Sequence, residues 1–201
     1  ESLEFTLLES EEKVQDLEKQ IKQSSYINSQ RSEITVDLPK DEETVRDLIK
    51  VAGDSKGPSP EECLNLLAKV YPKRLVVLPS AVESAREGSS FAQNRRLLDM
   101  LNRLVTEYLP AYLKGGDTDA RATFTNNEFS ARESDTVANN KQYLGYRKFD
   151  VDGREVEMLK HLKVGVADDP KSTIRVHFEI DQASERVLIG HCGKHLPLPG
   201  R

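Results

Sequence analysis

The spacing of the apolar residues changes along this chain, and that change constrains the fold more than any other feature. Between residues 94 and 113 the apolar residues recur every three or four positions, which predicts the longest amphipathic helix of the sequence. After residue 146 they alternate with polar residues, which is the period of a β-strand. Helices followed by strands predict an α+β fold, with an antiparallel meander of about four strands packed on the long helix.

The first 28 residues carry a heptad pattern, which predicts a coiled-coil segment. The a and d positions hold Leu3, Leu7, Ser10, Val14, Leu17 and Ile21, of which only the serine is polar. Three heptads make a stripe too narrow for an isolated helix, so the segment must pair with a second helix or pack on its own domain. We expect a homodimer through a parallel coiled coil. Because the chain starts at Glu1 and not at Met, we also expect it to be the C-terminal piece of a larger protein.

Residues 29–116 form a predicted second region that is rich in helices. The expected elements are a strand at 34–38, a helix at 44–52, a helix that starts at Ser59-Pro60 with a capping box to Glu62, a buried strand at 74–79, a short helix capped by Ser80, and the long helix, which ends at Gly115-Gly116.

Residues 117–201 form the third region, which we expect to be the antiparallel sheet. Its first part, 117–140, is rich in Thr, Asn, Ser and Asp, which predicts an ordered loop or a boundary. Asp152-Gly153 lies between two alternating segments and predicts a hairpin, because a type I′ turn needs positive φ at both central positions. Two further strands are predicted at 173–180 and 186–191.

The candidate functional residues lie in this third region, which contains all four histidines of the chain. On the predicted strand 173–180, Arg175 and His177 point away from the face that the long helix covers. His161 and Lys163 share that orientation on the neighbouring strand. The sequence therefore predicts a concave cationic surface on an open face of the sheet.

Polyanion recognition accounts best for this mixture of residues. Arginine and lysine hold phosphates, a histidine transfers protons near neutral pH, and RNA cleavage through the 2′-hydroxyl needs no metal. We therefore expect RNA as the ligand and no cofactor. The predicted catalytic residues are His161, His177 and Arg175. The predicted phosphate-binding residues are Lys163, Arg175, Arg147, Lys194 and His195.

Two other interpretations of the same residues remain open. The first is a metal site built from His161, His177, His191, Cys192 or His195. We expect no metal, because the His191-x-x-x-His195 spacing spans a glycine and no Cys-x-x-Cys pair is present. The second is a purely structural role, as solvated or hydrogen-bonded residues of the sheet.

Composition excludes several classes of protein. No apolar run approaches the ~20 residues of a membrane helix, and two cysteines are too few for a disulfide framework, so we expect a cytoplasmic protein without membrane contact. The sequence contains no P-loop, dinucleotide-binding or nucleophile-elbow motif. Nucleotide hydrolysis and serine-hydrolase chemistry therefore have no support.

The ending of the chain resembles a known signature. Residues 173–178 (TIRVHF) and 187–197 (VLIGHCGKHLP) are similar to the C-terminal region of uncharacterised bacterial coiled-coil proteins. The layout of a helix followed by a basic, histidine-bearing meander over 94–196 is also similar to the RelE/HigB-like ribonuclease toxins. That likeness implies metal-independent endoribonuclease activity, with His161, Lys163, Arg175 and His177 for phosphate holding and proton transfer. The alternative function is a noncatalytic dimerisation and protein-interaction module.

Overall fold

The computed structural model describes Val14, residues 42–165 and residues 171–199. The chain divides into two compact units, 1–36 and 37–201, and every described strand and every described helix from Glu42 onward belongs to the second. The predicted coiled coil, apart from the helical Val14, and the predicted strand at 34–38 lie outside the described residues. Among the residues described, no helix is both long enough and apolar enough to cross a membrane.

The described elements are those of an α+β protein, as the sequence predicts. The helices are α1 (Glu42–Gly53), α2 (Pro60–Val70), α3 (Pro79–Glu87), α4 (Asn94–Arg103), α5 (Leu109–Ala120), α6 (Asp135–Ala138) and α7 (Lys141–Gly145). The strands are β1 (Leu75–Val77), β2 (Phe129–Ser130), β3 (Lys148–Val151), β4 (Arg154–Glu157), β5 (Lys160–Val164), β6 (Ile174–Asp181) and β7 (Arg186–Gly193).

The start of α2 follows the predicted capping box. The Glu62 backbone N–H donates to the Ser59 hydroxyl at 3.3 Å, and the Ser59 N–H donates to the Glu62 carboxylate at 2.9 Å. The prediction that Ser80 caps the next helix is wrong. Pro79 is already the first residue of α3, and the Ser80 hydroxyl donates to the carbonyl of Gly190 at 2.7 Å. Ser80 thus ties α3 to β7.

The predicted long helix is present but is interrupted twice. A π-helical turn, Leu104–Tyr108, joins α4 to α5 just before Pro110, which has no N–H to donate to the preceding turn. Gly116 has non-helical backbone angles (φ 71°, ψ −164°), and helical structure then continues to Ala120. The regular helix therefore ends at Gly115-Gly116, as predicted, and the helical residues after it form a second segment across a kink.

The sheet differs from the predicted four-stranded meander. Five strands lie in the order β1-β7-β6-β5-β2, with β1 parallel to β7 and the other neighbours antiparallel. The Asp152-Gly153 hairpin is confirmed, but its strands β3 and β4 form a separate two-stranded sheet. Residues 117–140 contribute β2 and α6 as well as loops.

The main core lies between the helices and one face of the five-stranded sheet. Ile174, Val176, Phe178 and Ile180 of β6 point into it, as the alternation predicts. Tyr108 is buried at its centre, with ring centroids 5.6 Å from Phe178 and 5.3 Å from Phe129. The π-helical turn therefore packs directly on the middle of the sheet.

A second layer covers the other face of the sheet, so the prediction of an open face is wrong. Leu188 of β7 packs with Val151 and Met158 of the hairpin region in a smaller apolar cluster. Gly190 is the additional residue of a β-bulge between the pairs His177–His191 and Phe178–Ile189. A Cβ atom on Gly190 would lie 2.6 Å from the Phe149 ring and 2.7 Å from the Met158 sulfur.

Gly190→Ala is expected to destabilise the protein, because the added methyl group has no room beneath the hairpin. Overpacking of this kind costs about 1–3 kcal/mol of unfolding free energy. Gly145→Ala is the matched control, since a Cβ there meets nothing within 4 Å. Chemical denaturation measures both variants. Equal stability of the two would contradict the packing of the hairpin on β7.

Candidate functional site

Three histidines from adjacent strands lie side by side on the sheet face opposite the helices. His161 of β5 pairs with His177 of β6, and His177 pairs with His191 of β7. The ring centroids of His161 and His177 are 4.9 Å apart, and those of His177 and His191 are 5.8 Å apart. We call these three residues the histidine row. The row continues on β2 at Ser130, which pairs with His161.

A pair of cations lies next to the histidine row on the same face. Lys163 of β5 is directly opposite Arg175 of β6, two residues along each strand from His161 and His177. We call Lys163 and Arg175 the cationic pair. The structure thus brings together the four residues that strand alternation predicts to share a face.

These side chains are buried and do not form the open concave surface predicted from the sequence. The exposed fraction is 7% for His161, 1% for His177, and 9% for both Arg175 and His191. The second layer and the C-terminal tail account for this burial. Of the predicted site residues, Lys163 and His195 are half-buried and Lys194 is exposed, and we call these three residues the rim.

Arg147 is the centre of the covering layer. Its side chain is fully buried, and its Nε donates to Oε1 of Glu133 at 2.8 Å. Its Nη1 donates to the backbone carbonyls of Tyr143 and Pro197, at 3.1 and 2.7 Å. Its Nη2 is also buried and has no hydrogen-bond partner among the described residues. Arg147, predicted from the sequence to bind phosphate at the surface, instead joins the covering segments from within.

Hydrogen bonds to backbone carbonyls determine which nitrogen of each histidine carries a proton. Nδ1 of His161 contacts the carbonyl of Leu159 at 3.1 Å, and Nδ1 of His177 contacts that of Met158 at 3.2 Å. A carbonyl oxygen only accepts, so both Nδ1 atoms donate and both Nε2 atoms keep a lone pair. Nε2 of His177 is buried without a hydrogen-bond partner in the described part of the chain.

Burial keeps the histidine row uncharged near neutral pH. Loss of solvation lowers the pKa of His161 and His191, and it lowers that of His177 furthest, with the neighbouring His161 and His191 adding to the effect. Neutral imidazoles present lone pairs, so the row is a set of nitrogen ligands or hydrogen-bond acceptors, and it contributes no positive charge.

Lys163 and the exposed Lys194 carry the positive charge of the rim, because His195 is uncharged near neutral pH. Burial, followed by the charge of Arg175, lowers the pKa of Lys163, whose Nζ donates to the carbonyl of Asn126 at 2.6 Å. The same two causes lower the pKa of His195. Arg175 therefore lies within electrostatic range of both residues.

Two residues lie elsewhere than the sequence predicts. Cys192, a candidate metal ligand by its position in the chain, packs in the helix-side core, and burial raises the pKa of its thiol. Glu133 belongs to a segment predicted as a loop, yet its side chain is buried against Arg147, and its Oε1 lies 4.0 Å from Nδ1 of His177. No local pattern marks Glu133, because its partners come from other segments of the chain.

Glu133→Gln is expected to lower the unfolding free energy by about 3–5 kcal/mol, since it leaves the buried Arg147 charge uncompensated. Glu61→Gln is the matched control, because Glu61 pairs with Arg86 at the exposed surface, where ion pairs contribute little. Thermal and chemical denaturation compare the two variants. An unchanged midpoint for Glu133→Gln would show that the buried pair does not hold the second layer in place.

No protein-family model, no curated protein and no solved structure matches this chain. The likenesses to bacterial coiled-coil proteins and to ribonuclease toxins thus rest on the terminal residues and on layout. The functional assignment has to come from the chemistry of the histidine row and the cationic pair.

Proposed function

We propose that this region binds a phosphate-rich ligand, and that the ligand is RNA. The observation that carries the proposal is the cationic pair. Lys163 and Arg175 lie directly opposite each other on neighbouring strands, an arrangement that is destabilising for like charges. Burial lowers the pKa of Lys163, and the charge of Arg175 lowers it further. A phosphate group would reach this position through Lys163, because Arg175 is buried and its Nη1 donates to the carbonyls of Gly165 and Ile174.

The surroundings of the cationic pair suit a chain of phosphates better than a single ion. His195 lies within electrostatic range of Arg175 but is uncharged near neutral pH, and the exposed Lys194 precedes it in the tail. A pocket of about 320 Å³ next to β2 is lined by Ser130 and the exposed Arg132, by Phe124 and Phe129 of the helix-side core, and by Arg121, which pairs with Asp117. An RNA strand that reached both the tail and this pocket would meet Lys194 and Arg132.

Single-stranded RNA fits these features. Proteins recognise it by holding phosphates with basic side chains while unstacked bases enter neighbouring pockets. The burial of His177 favours binding over cleavage, because a general base has to reach the 2′-hydroxyl and His177 has almost no exposed surface. Endoribonuclease activity through His161 and His177 stays a prediction from the sequence resemblance.

RNA affinity is expected to fall with salt and to depend on Lys163. For single strands, each neutralised phosphate contributes roughly 0.7 to the slope of log K against log salt. Lys163→Ala is expected to weaken binding and to reduce that slope by about 0.7. Lys50→Ala is the control, because Lys50 is an exposed lysine on α1 that pairs with Glu62. Fluorescence anisotropy with labelled single-stranded RNA at several salt concentrations measures both.

Wild-type protein without salt-dependent RNA affinity would contradict the proposal. Equal losses in Lys163→Ala and Lys50→Ala would also contradict it, because binding would then follow overall charge and not the cationic pair. The same samples, analysed by denaturing electrophoresis after incubation, report whether the RNA is cut.

The alternative function, a dimerisation and interaction module, depends on the heptads of residues 1–28. A parallel coiled coil predicts a solution mass of twice 22.6 kDa for the full chain. Light scattering coupled to size exclusion measures this mass, and the mass of a single chain would contradict the dimer. A cytoplasmic location remains part of the proposal, since Cys63 and Cys192 are both free thiols, as is usual in a reducing compartment.

A further inference from the structure

We propose that Glu133, His161 and His177 bind a divalent transition-metal ion of the zinc type. The three residues come from the segment after β2, from β5 and from β6, and all are buried. One potential ligand atom of each lies within 4.8 Å of the others. Two imidazoles and one carboxylate are a common set of ligands for such ions. This inference goes beyond RNA binding and does not depend on it.

His177 gives the second, independent observation. Its Nδ1 is engaged by the carbonyl of Met158, while its Nε2 is buried without a hydrogen-bond partner among the described residues. Leaving a buried polar atom unsatisfied costs about 1–3 kcal/mol. A metal ion bound at Nε2 would remove that cost. Oε1 of Glu133 lies 4.0 Å from Nδ1 of the same ring, so an ion at Nε2 would also require the carboxylate to turn toward it.

The hydrogen bonds of the two histidines are those expected of metal ligands. In metal sites the nitrogen that does not bind the ion usually donates to a carbonyl or carboxylate, which fixes the ring orientation. Both His161 and His177 are held this way through Nδ1.

The donor set selects the class of ion. Imidazole nitrogens suit zinc, cobalt, nickel and copper, whereas magnesium and calcium prefer sites made of oxygen ligands. Three protein ligands leave a fourth position for water or substrate. Arg147 opposes the cation, because its guanidinium lies against the Glu133 carboxylate. We therefore expect weaker affinity than that of a site with the same ligands and no neighbouring cation.

The sequence predicts no metal because of how the histidines and Cys192 are spaced along the chain. The ligands proposed here are a different set of residues, which only folding brings together. The carboxylate that completes it comes from Glu133, which lies near His161 and His177 only in the folded chain. Cys192 lies on the other face of the sheet, and Nε2 of His191 is engaged by the carbonyl of Lys194 at 2.7 Å. Chain spacing therefore gives no indication of this site.

Metal titration of the full chain tests the proposal. Protein stripped with EDTA and dialysed is titrated with cobalt(II), whose visible absorption reports its ligands, and with zinc in a calorimeter. We expect one ion per chain. His161→Gln and Glu133→Gln are expected to lose about 100-fold or more in affinity, since even changing a group that hydrogen-bonds to a ligand costs about 10–100-fold. His195→Gln, which removes a nearby imidazole outside the cluster, is the control and should keep wild-type affinity.

Thermal denaturation with and without zinc distinguishes a folded variant that does not bind zinc from a variant that does not fold. Zinc is expected to raise the melting temperature of the wild type and of His195→Gln, but not that of a folded His161→Gln. Absence of cobalt absorption and of zinc binding in the wild type would overturn the proposal, and a buried water would then account for the Nε2 of His177. An equal loss of affinity in His195→Gln and His161→Gln would overturn it as well.

Discussion

The buried ion pair between Arg147 and Glu133 is the interaction on which the second layer depends. Through one guanidinium group it connects the segment after β2, the end of α7 and the C-terminal tail at Pro197. The backbone carbonyl of Arg147 also accepts from the N–H of Met158, whose own carbonyl holds His177. A buried charge that lost its partner would be costly, so loss of either Arg147 or Glu133 would destabilise the contacts among these segments.

One face of the sheet carries two kinds of polar side chain at neighbouring positions. The histidine row supplies neutral nitrogen atoms, and the cationic pair, two residues along, supplies positive charge. A transition-metal ion bound to the histidine row would add positive charge near Arg175, and would thereby increase the attraction for phosphate. Metal binding and RNA binding would therefore reinforce each other while remaining separable by mutation.

Much of the local structure follows from the sequence, because its causes are local. The capping box of α2, the Asp152-Gly153 hairpin and the division of β6 into an apolar and a polar face each depend on neighbouring residues. The same alternation correctly brings His161 next to His177 and Lys163 next to Arg175. The alternation does not predict the second layer. Arg147 and Glu133 are polar residues in irregular segments. They are buried because they pair with each other across the fold, and no local pattern predicts that pairing.

The pairing of β1 with β7 determines when the sheet can be completed during synthesis of the chain. Leu75 lies in a parallel ladder opposite Val187, a residue far along the chain. During synthesis β1 leaves the ribosome long before that partner exists, so its apolar side chains have only the helices that emerge in between to cover them. The sheet closes at this edge only after β7 has been translated. Contacts between residues so far apart in the chain are expected to slow folding, and a chain that stopped before β7 would leave β1 without a strand to pair with.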